Sequence, residues 1–179
     1  MFRFRARRAP TTSLLEQAIA RADADAIKSL ITHGQDINAR NFRGHAPIHL
    51  ATARGDGELV QFLLENGADE NVAHADSGST SLHYAASLGY ADLCELLIRY
   101  GADTDAQTAK LETPLHLSIA NGHREVVVIL LKYQARLNLK DKNGMTPLQQ
   151  AENLESRDIV TLIKQHLNEV WPYLLTSRC

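Results

Sequence analysis

The chain has 179 residues, 44% of them hydrophobic and 22% charged, with a formal net charge of −2. That length and apolar content suffice for one domain with a real core, and the slightly acidic balance argues against a general nucleic-acid binder. Two cysteines, Cys94 and Cys179, make no disulfide framework, and no apolar run reaches the roughly 18 residues a membrane span needs. A cytosolic or nuclear setting is therefore expected.

The opening stretch, MFRFRARRAPTTS, carries four arginines and no acidic residue, and no apolar segment of a secretory signal follows it. Residues 1–12 admit three readings: a disordered solvated tail, a basic arm touching an acidic partner, or a mitochondrial presequence. From residue 13 onward the chain reads as helix pairs. Residues 13–38, SLLEQAIARADADAIKSLITHGQDIN, begin the series. Residues 45–71, HAPIHLATARGDGELVQFLLENGADEN, and 79–105, STSLHYAASLGYADLCELLIRYGADTD, continue it. Residues 112–138, ETPLHLSIANGHREVVVILLKYQARLN, and 145–170, MTPLQQAENLESRDIVTLIKQHLNEV, complete it.

His49, His83 and His116 recur at steps of 34 and 33 residues, and Gln149 lies 33 further on. Gly34, Gly67, Gly101 and Gln134 keep the same step at the ends of the second helices. Five units result, with approximate bounds 13–40, 41–73, 74–106, 107–139 and 140–170.

Local chemistry supports each element. Thr113 is a good N-cap and Pro114 suits the first helical position, where its missing N–H costs nothing. Gly55, Gly89 and Gly122 can take the left-handed conformation that ends a short helix. A second helix follows, with Val126, Val127, Ile129, Leu130 and Leu131 as its apolar stripe. Asn- and Asp-rich turns then lead into a hairpin. No unit can bury its apolar face alone, so stacking must supply the core. Glu16, Gln17, Arg21 and Asp23 in the first unit, and Gln149, Gln150 and Glu152 in the last, replace apolar or histidine positions, as terminal caps do.

A repeat of this length with the pattern Thr-Pro-Leu-His-x-Ala resembles the ankyrin repeat. Thr80, Leu82, His83 and Ala85 carry the pattern, as do Thr113, Pro114, Leu115 and His116, and Pro47, His49 and Ala51 match in the second unit. The resemblance covers residues 13 to about 169. It implies an all-α solenoid of about five stacked helix-turn-helix units with short hairpins or loops between them.

The histidines invite a chemical reading that their spacing refuses. Stacked helices sit roughly 8–10 Å apart, whereas a zinc ion needs nitrogens within about 2.1 Å, so rings in successive layers cannot share a metal. Leu115 and Leu117 flank His116, and no serine and acid recur beside it. No GxGxxG, Walker loop, HExxH or CxxC spacing occurs. The resemblance instead implies that His116 bonds Thr113 and the neighbouring hairpin, with His49 and His83 in the same role. Cys94 shares a slot with Val60 and Val127 and reads as a core thiol. No catalytic group, metal or cofactor is expected.

The resemblance places function on the hairpin tips and the inner faces of the first helices, which in such proteins form a concave groove for another protein. The tip positions are Phe42, Arg43 and His45; Asp76, Ser77 and Ser79; Lys110, Leu111 and Glu112; and Lys142, Asn143 and Met145. The first helices add Arg54, Ser87, Leu88, Asn121, Asn153 and Leu154. Phe42 places an aromatic ring on a tip, which suits an interface anchor. Leu111 stands where Gly44, Gly78 and Gly144 stand in the other tips. The tip VAHADSG is one residue longer than ARNFRG. Each departure could equally be tolerated loop drift.

The tail at 171–179, WPYLLTSRC, either folds over the last repeat or is an apolar peptide offered to a partner, and Pro172 argues against helix there. Asn38, with Leu30 and Asp36, and Asn71, with Leu63 and Asp69, resemble asparaginyl-hydroxylase substrates; both could instead simply bond the turn backbone. The expectation is a non-catalytic adaptor, scaffold or stoichiometric inhibitor, monomeric, binding a protein and no small-molecule substrate. The alternative is a regulatory or structural subunit working through its tail, with the repeats as spacer.

Overall fold

The computed structural model describes residues 14–21 and 23–170. The readings of the arginine-rich start and of the tail at 171–179 fall outside those residues. Among the described residues the helices come in pairs: α1 (Leu14–Ala20) with α2 (Ala24–Thr32), α3 (Pro47–Ala53) with α4 (Gly57–Glu65), and α5 (Ser81–Leu88) with α6 (Ala91–Arg99). Two more pairs follow, α7 (Pro114–Ala120) with α8 (Arg124–Lys132) and α9 (Pro147–Asn153) with α10 (Arg157–Val170). First helices stack on first helices through the whole series, and α4, α6, α8 and α10 form a second layer. The protein is an all-α solenoid.

The boundaries have local causes. Thr113 and Thr146 cap α7 and α9 by accepting the backbone N–H of His116 and Gln149, and Pro114 and Pro147 occupy the first turn. From the second pair onward each first helix ends at a left-handed residue: Gly55, Gly89 and Gly122, and in the last pair Glu155 at φ 55°. Asp56 opens α4 by accepting the N–H of Leu59. At the matching position of α6 and α8, Tyr90 and His123 make no such cap. Their rings pack instead on Gly55 and Gly89 of the preceding unit, so close that a Cβ on Gly89 would lie 2.6 Å from His123 Nδ1. Local capping has been exchanged for contact between units.

The core is one-dimensional, as the period requires. Leu63, Leu97, Leu130 and Ile163 form one row of wholly buried side chains. Val60, Cys94 and Val127 form the next. Each buried leucine or isoleucine contributes roughly 1.5–3 kcal/mol only when the neighbouring unit covers it.

Of the short hairpins or loops expected between units, the structure shows loops. The connections between units close as turns, and no residue among those described lies in a strand. Each has a single backbone pair across its neck, such as Asn41 N–H to His45 O at 2.8 Å, which is too little ladder for a hairpin proper. The extra residue of the second tip is visible in its closing bond. Gly78 donates to His74, four residues back, where Gly44, Leu111 and Gly144 donate three residues back. Leu111 takes the left-handed conformation of the glycines at φ 59°.

Candidate interaction face

The three repeat histidines work alike. His116 Nδ1 lies 3.2 Å from the backbone nitrogen of Thr113, and Nε2 lies 3.1 Å from the carbonyl of Met145 in the next tip. A backbone N–H can only donate and a carbonyl can only accept, so the ring is neutral with its proton on Nε2. His83 repeats this with Thr80 N at 3.1 Å and Glu112 O at 3.1 Å. His49 does so with Ala46 N at 3.0 Å and Val72 O at 2.9 Å. Ala46 has no hydroxyl, so in this unit the ring alone makes the cap. Burial pushes all three rings below their ordinary value, His49 down to about 4. Each imidazole ties the start of its own first helix to the following connection, His83 and His116 at the far side of the tip and His49 at Val72, ahead of it. Among the described residues no group of three or more His, Cys, Asp or Glu side chains is placed to hold a metal ion.

The tips are built on one plan. A side-chain acceptor at the first tip position caps the turn: Asn41 Oδ1 takes the N–H of Arg43 and His45, each at 2.9 Å. Asp141 Oδ1 takes those of Asn143 and Met145 at 2.9 Å, and Thr108 Oγ1 those of Lys110 and Glu112 at 3.2 Å. His74 fills the same position, its Nδ1 facing the N–H of Asp76 at 3.3 Å and of Ser77 at 3.2 Å. Successive tips are joined by backbone bonds, Ala75 N–H to Gly44 O, Ala109 N–H to Ser77 O and Lys142 N–H to Lys110 O. The tips therefore form one continuous row.

The residues marked out in the sequence divide on this row. Phe42, Arg43, Asp76, Lys110, Leu111, Lys142 and Asn143 are exposed, as are Arg54, Leu88, Asn121, Asn153 and Leu154 at the ends of the first helices. Phe42 is 55% exposed, with the Arg43 guanidinium 5.4 Å from its ring centre. The others are half-buried and already engaged. Glu112 and Met145 give their carbonyls to the histidines. The Ser77 hydroxyl lies 3.0 Å from that of Ser79. The Ser87 carbonyl accepts from His123 Nε2 at 3.0 Å.

His45 is the clearest departure. It points inward, its ring centre 4.4 Å from that of His74 and 6.0 Å from that of Tyr84, so it is a packing residue and is not displayed on the tip. Burial first, then His74 and Arg43, hold His45 below its ordinary value, with Glu16 acting against them. His74 and Tyr84 carried no signal in sequence because they gain a shared role only when units two and three meet.

Asn38 and Asn71 each bridge two units. Asn38 Oδ1 accepts from Asp69 N–H at 2.9 Å, and Asn71 Oδ1 from Asp103 N–H at 2.8 Å. Their amides reach the carbonyls of Gly67 and Gly101. That is how Gly67 and Gly101, at φ 89° and 104°, serve both to end a helix and to receive the next unit. Cys94 is fully buried and its thiol is pushed up to about 12, which keeps it protonated.

The charge on the face differs from that of the whole chain. Arg40, Arg43, Lys110, Lys140 and Lys142 are exposed along the row, against one exposed acid, Asp76. Apolar side chains stand among them: Phe42 and Leu111 on the tips, and Leu88 and Leu154 at equivalent positions on α5 and just beyond α9.

Comparison with known proteins fits this geometry. The family described as "Ankyrin repeats (3 copies)" matches residues 15–108 and 103–171. The human Ankyrin repeat and SOCS box protein 16 is 38% identical over 99 residues, which are 55% of this chain and 22% of that protein. Mouse Protein phosphatase 1 regulatory subunit 27 is 31% identical over 62 residues, 35% of this chain and 40% of that one. Myotrophin of Xenopus tropicalis is 38% identical over 52 residues, 29% of this chain and 44% of that one. The chain thus spans less than half the length of each of these relatives.

Proposed function

The chain belongs to the ankyrin-repeat family, whose members are generally protein–protein interaction modules, and on that footing we propose that it is a non-catalytic docking protein whose partner lies along the tip row and the exposed ends of the first helices. The observation that carries this reading is the tip row itself: backbone bonds fix its geometry before any partner arrives. A preformed surface loses little conformational freedom on binding. A regulatory subunit among the relatives is consistent with a role without chemistry.

The same face suggests the partner's character. Along the tip row, five exposed cations against one exposed acid select a segment rich in Asp or Glu. Phe42, Leu88, Leu111 and Leu154 select apolar side chains among those acids. Phe42 and Leu88 are the anchors, because both are large, apolar and exposed. The test uses the protein retained from a native-cell lysate as the readout, with Phe42→Ala and Leu88→Glu as variants. Capture falls about tenfold or more for each, the loss expected of an interface anchor, while the melting temperature stays within about 1 °C because neither side chain supports the core. Parent-like capture by both variants would place the interface elsewhere.

A further inference from the structure

The four tip anchors, Asn41, His74, Thr108 and Asp141, do the same job with different chemistry. Each accepts backbone N–H bonds that hold its turn. An amide, a hydroxyl and a carboxylate keep their acceptor through the range from about pH 5 to about pH 8; an imidazole loses its acceptor when it gains a proton. His74 Nδ1 faces the N–H groups of Asp76 and Ser77, with the Ser77 hydroxyl at 3.1 Å. A proton on Nδ1 turns the two backbone contacts into donor-against-donor contacts, and only the Ser77 hydroxyl oxygen can still accept from the ring.

The surroundings give the second charge nowhere to go. The His45 ring stands 4.4 Å from His74 at a steep angle, and its Nδ1 is buried without a hydrogen-bond partner. His49, 6.4 Å away on α3, has both nitrogens committed to backbone groups. Tyr84 of α5 closes the cluster with a neutral phenol, 5.5 Å from His49. Of the charged neighbours, Arg43 on the preceding tip opposes a cation at His45, while Glu16 on α1 favours one. Arg40, on that same tip, opposes one at His49. Asp76, on the same tip as His74, is exposed to water, which screens its help.

We propose that the tip at 74–79 is an acid-operated catch on the docking face: a proton on His74 Nδ1 releases the turn and breaks the row of tips at its second member. Neighbouring tips feel the release, because Ala75 N–H is bonded to Gly44 O and Ala109 N–H to Ser77 O. The consequence for a partner rests on the docking reading above; the opening of the tip does not.

The experiment needs no partner. Nitrogen-15 spectra of the histidine rings, recorded from about pH 7.5 to about pH 5, report directly whether Nδ1 of His74 carries a proton. Amide hydrogen exchange, corrected for the intrinsic rate at each pH, follows Ser77, Gly78 and Ala109. In the parent, protection at these amides falls at least about tenfold, reversibly and in step with the appearance of a proton on His74 Nδ1, as loss of a hydrogen bond requires. In His74→Asn, which places the Asn41 anchor in this tip, protection holds level; His74→Thr, which copies the Thr108 anchor, serves the same purpose should the first variant fold poorly. Protection that stays unchanged over this pH range, or an equal fall in both proteins, would overturn the proposal and leave the docking reading standing. A failure of docking at Phe42 and Leu88 would leave the acid opening of the tip measurable as before.

Discussion

Lowering the pH from about 7 to about 5 removes about 2 kcal/mol of stability through His49 alone. The ring is completely buried and its value is pushed down to about 4 from 6.5, because burial penalises the cation and His45, His74 and Arg40 add to that, against the bond to the Val72 carbonyl. Between those values the unfolded chain binds the proton and the folded chain does not. Stability from this group is therefore complete above about 6.5 and is lost as the pH falls through about 4, where the loss levels off near 3 kcal/mol. His83 and His116, also shifted downward by burial, act in the same direction.

The comparison that isolates His49 is His49→Gln. In the last unit Gln149 already shows how glutamine does the capping half of the work, its Oε1 accepting Thr146 N–H at 3.0 Å. Urea unfolding at about pH 7 and about pH 5 gives four stabilities. The variant starts lower, because the bond from Nε2 to Val72 O is lost or weakened. Its fall on acidification is nevertheless smaller than the parent's by about 2 kcal/mol. Parallel loss in the two proteins would refute the reasoning, since it would place the proton uptake on other groups.

Three further outcomes follow from the packing. Gly89→Ala sets a Cβ 2.6 Å from the His123 ring in a left-handed residue and destabilises by about 2 kcal/mol or more, while Gly122→Ala, with open space around it, costs only the backbone term of roughly 1–2 kcal/mol; paired melting curves give the difference. Leu111→Gly relieves a left-handed leucine at φ 59° and raises or preserves stability to within about 1 kcal/mol, yet reduces partner capture, because a 46% exposed apolar side chain is removed from the tip row. Cys94 in the native protein resists iodoacetamide near pH 8 and reacts after urea unfolding, as mass analysis of the peptide containing Cys94 records.

Much of the architecture was legible because the repeat is locally encoded. The helix start at Thr113, and the left-handed ends at Gly55, Gly89 and Gly122, follow from single residues whose backbone preferences are strong. The apolar rows through Leu63, Leu97 and Leu130 follow from the period. The tips were less legible. The connections, expected as short hairpins or loops, close as turns too short to build a ladder, and His45, expected on a tip, is half-buried with its ring against His74. Its ring turns inward because His74 and Tyr84 of the next unit offer a pocket that no local signal announces. The common function of Asn41, His74, Thr108 and Asp141 was hidden for a different reason. Four unlike residue types share only the ability to accept a hydrogen bond, and that likeness appears once the turns are closed.

The sequence by itself determined the repeating step of helix pairs, the start of a first helix at Thr113, the glycine ends at Gly55, Gly89 and Gly122, and the apolar stripe of a second helix, because those depend on capping, glycine conformation and a repeating apolar step within some thirty residues. Only the tertiary structure decided which tip side chains face water, that the tips are tied into one row of predominantly positive charge, and that three histidines and a tyrosine meet between the second and third units. Those features arise from contacts between residues of different units, and a contact of that kind exists only when stacking has brought both partners to the same place.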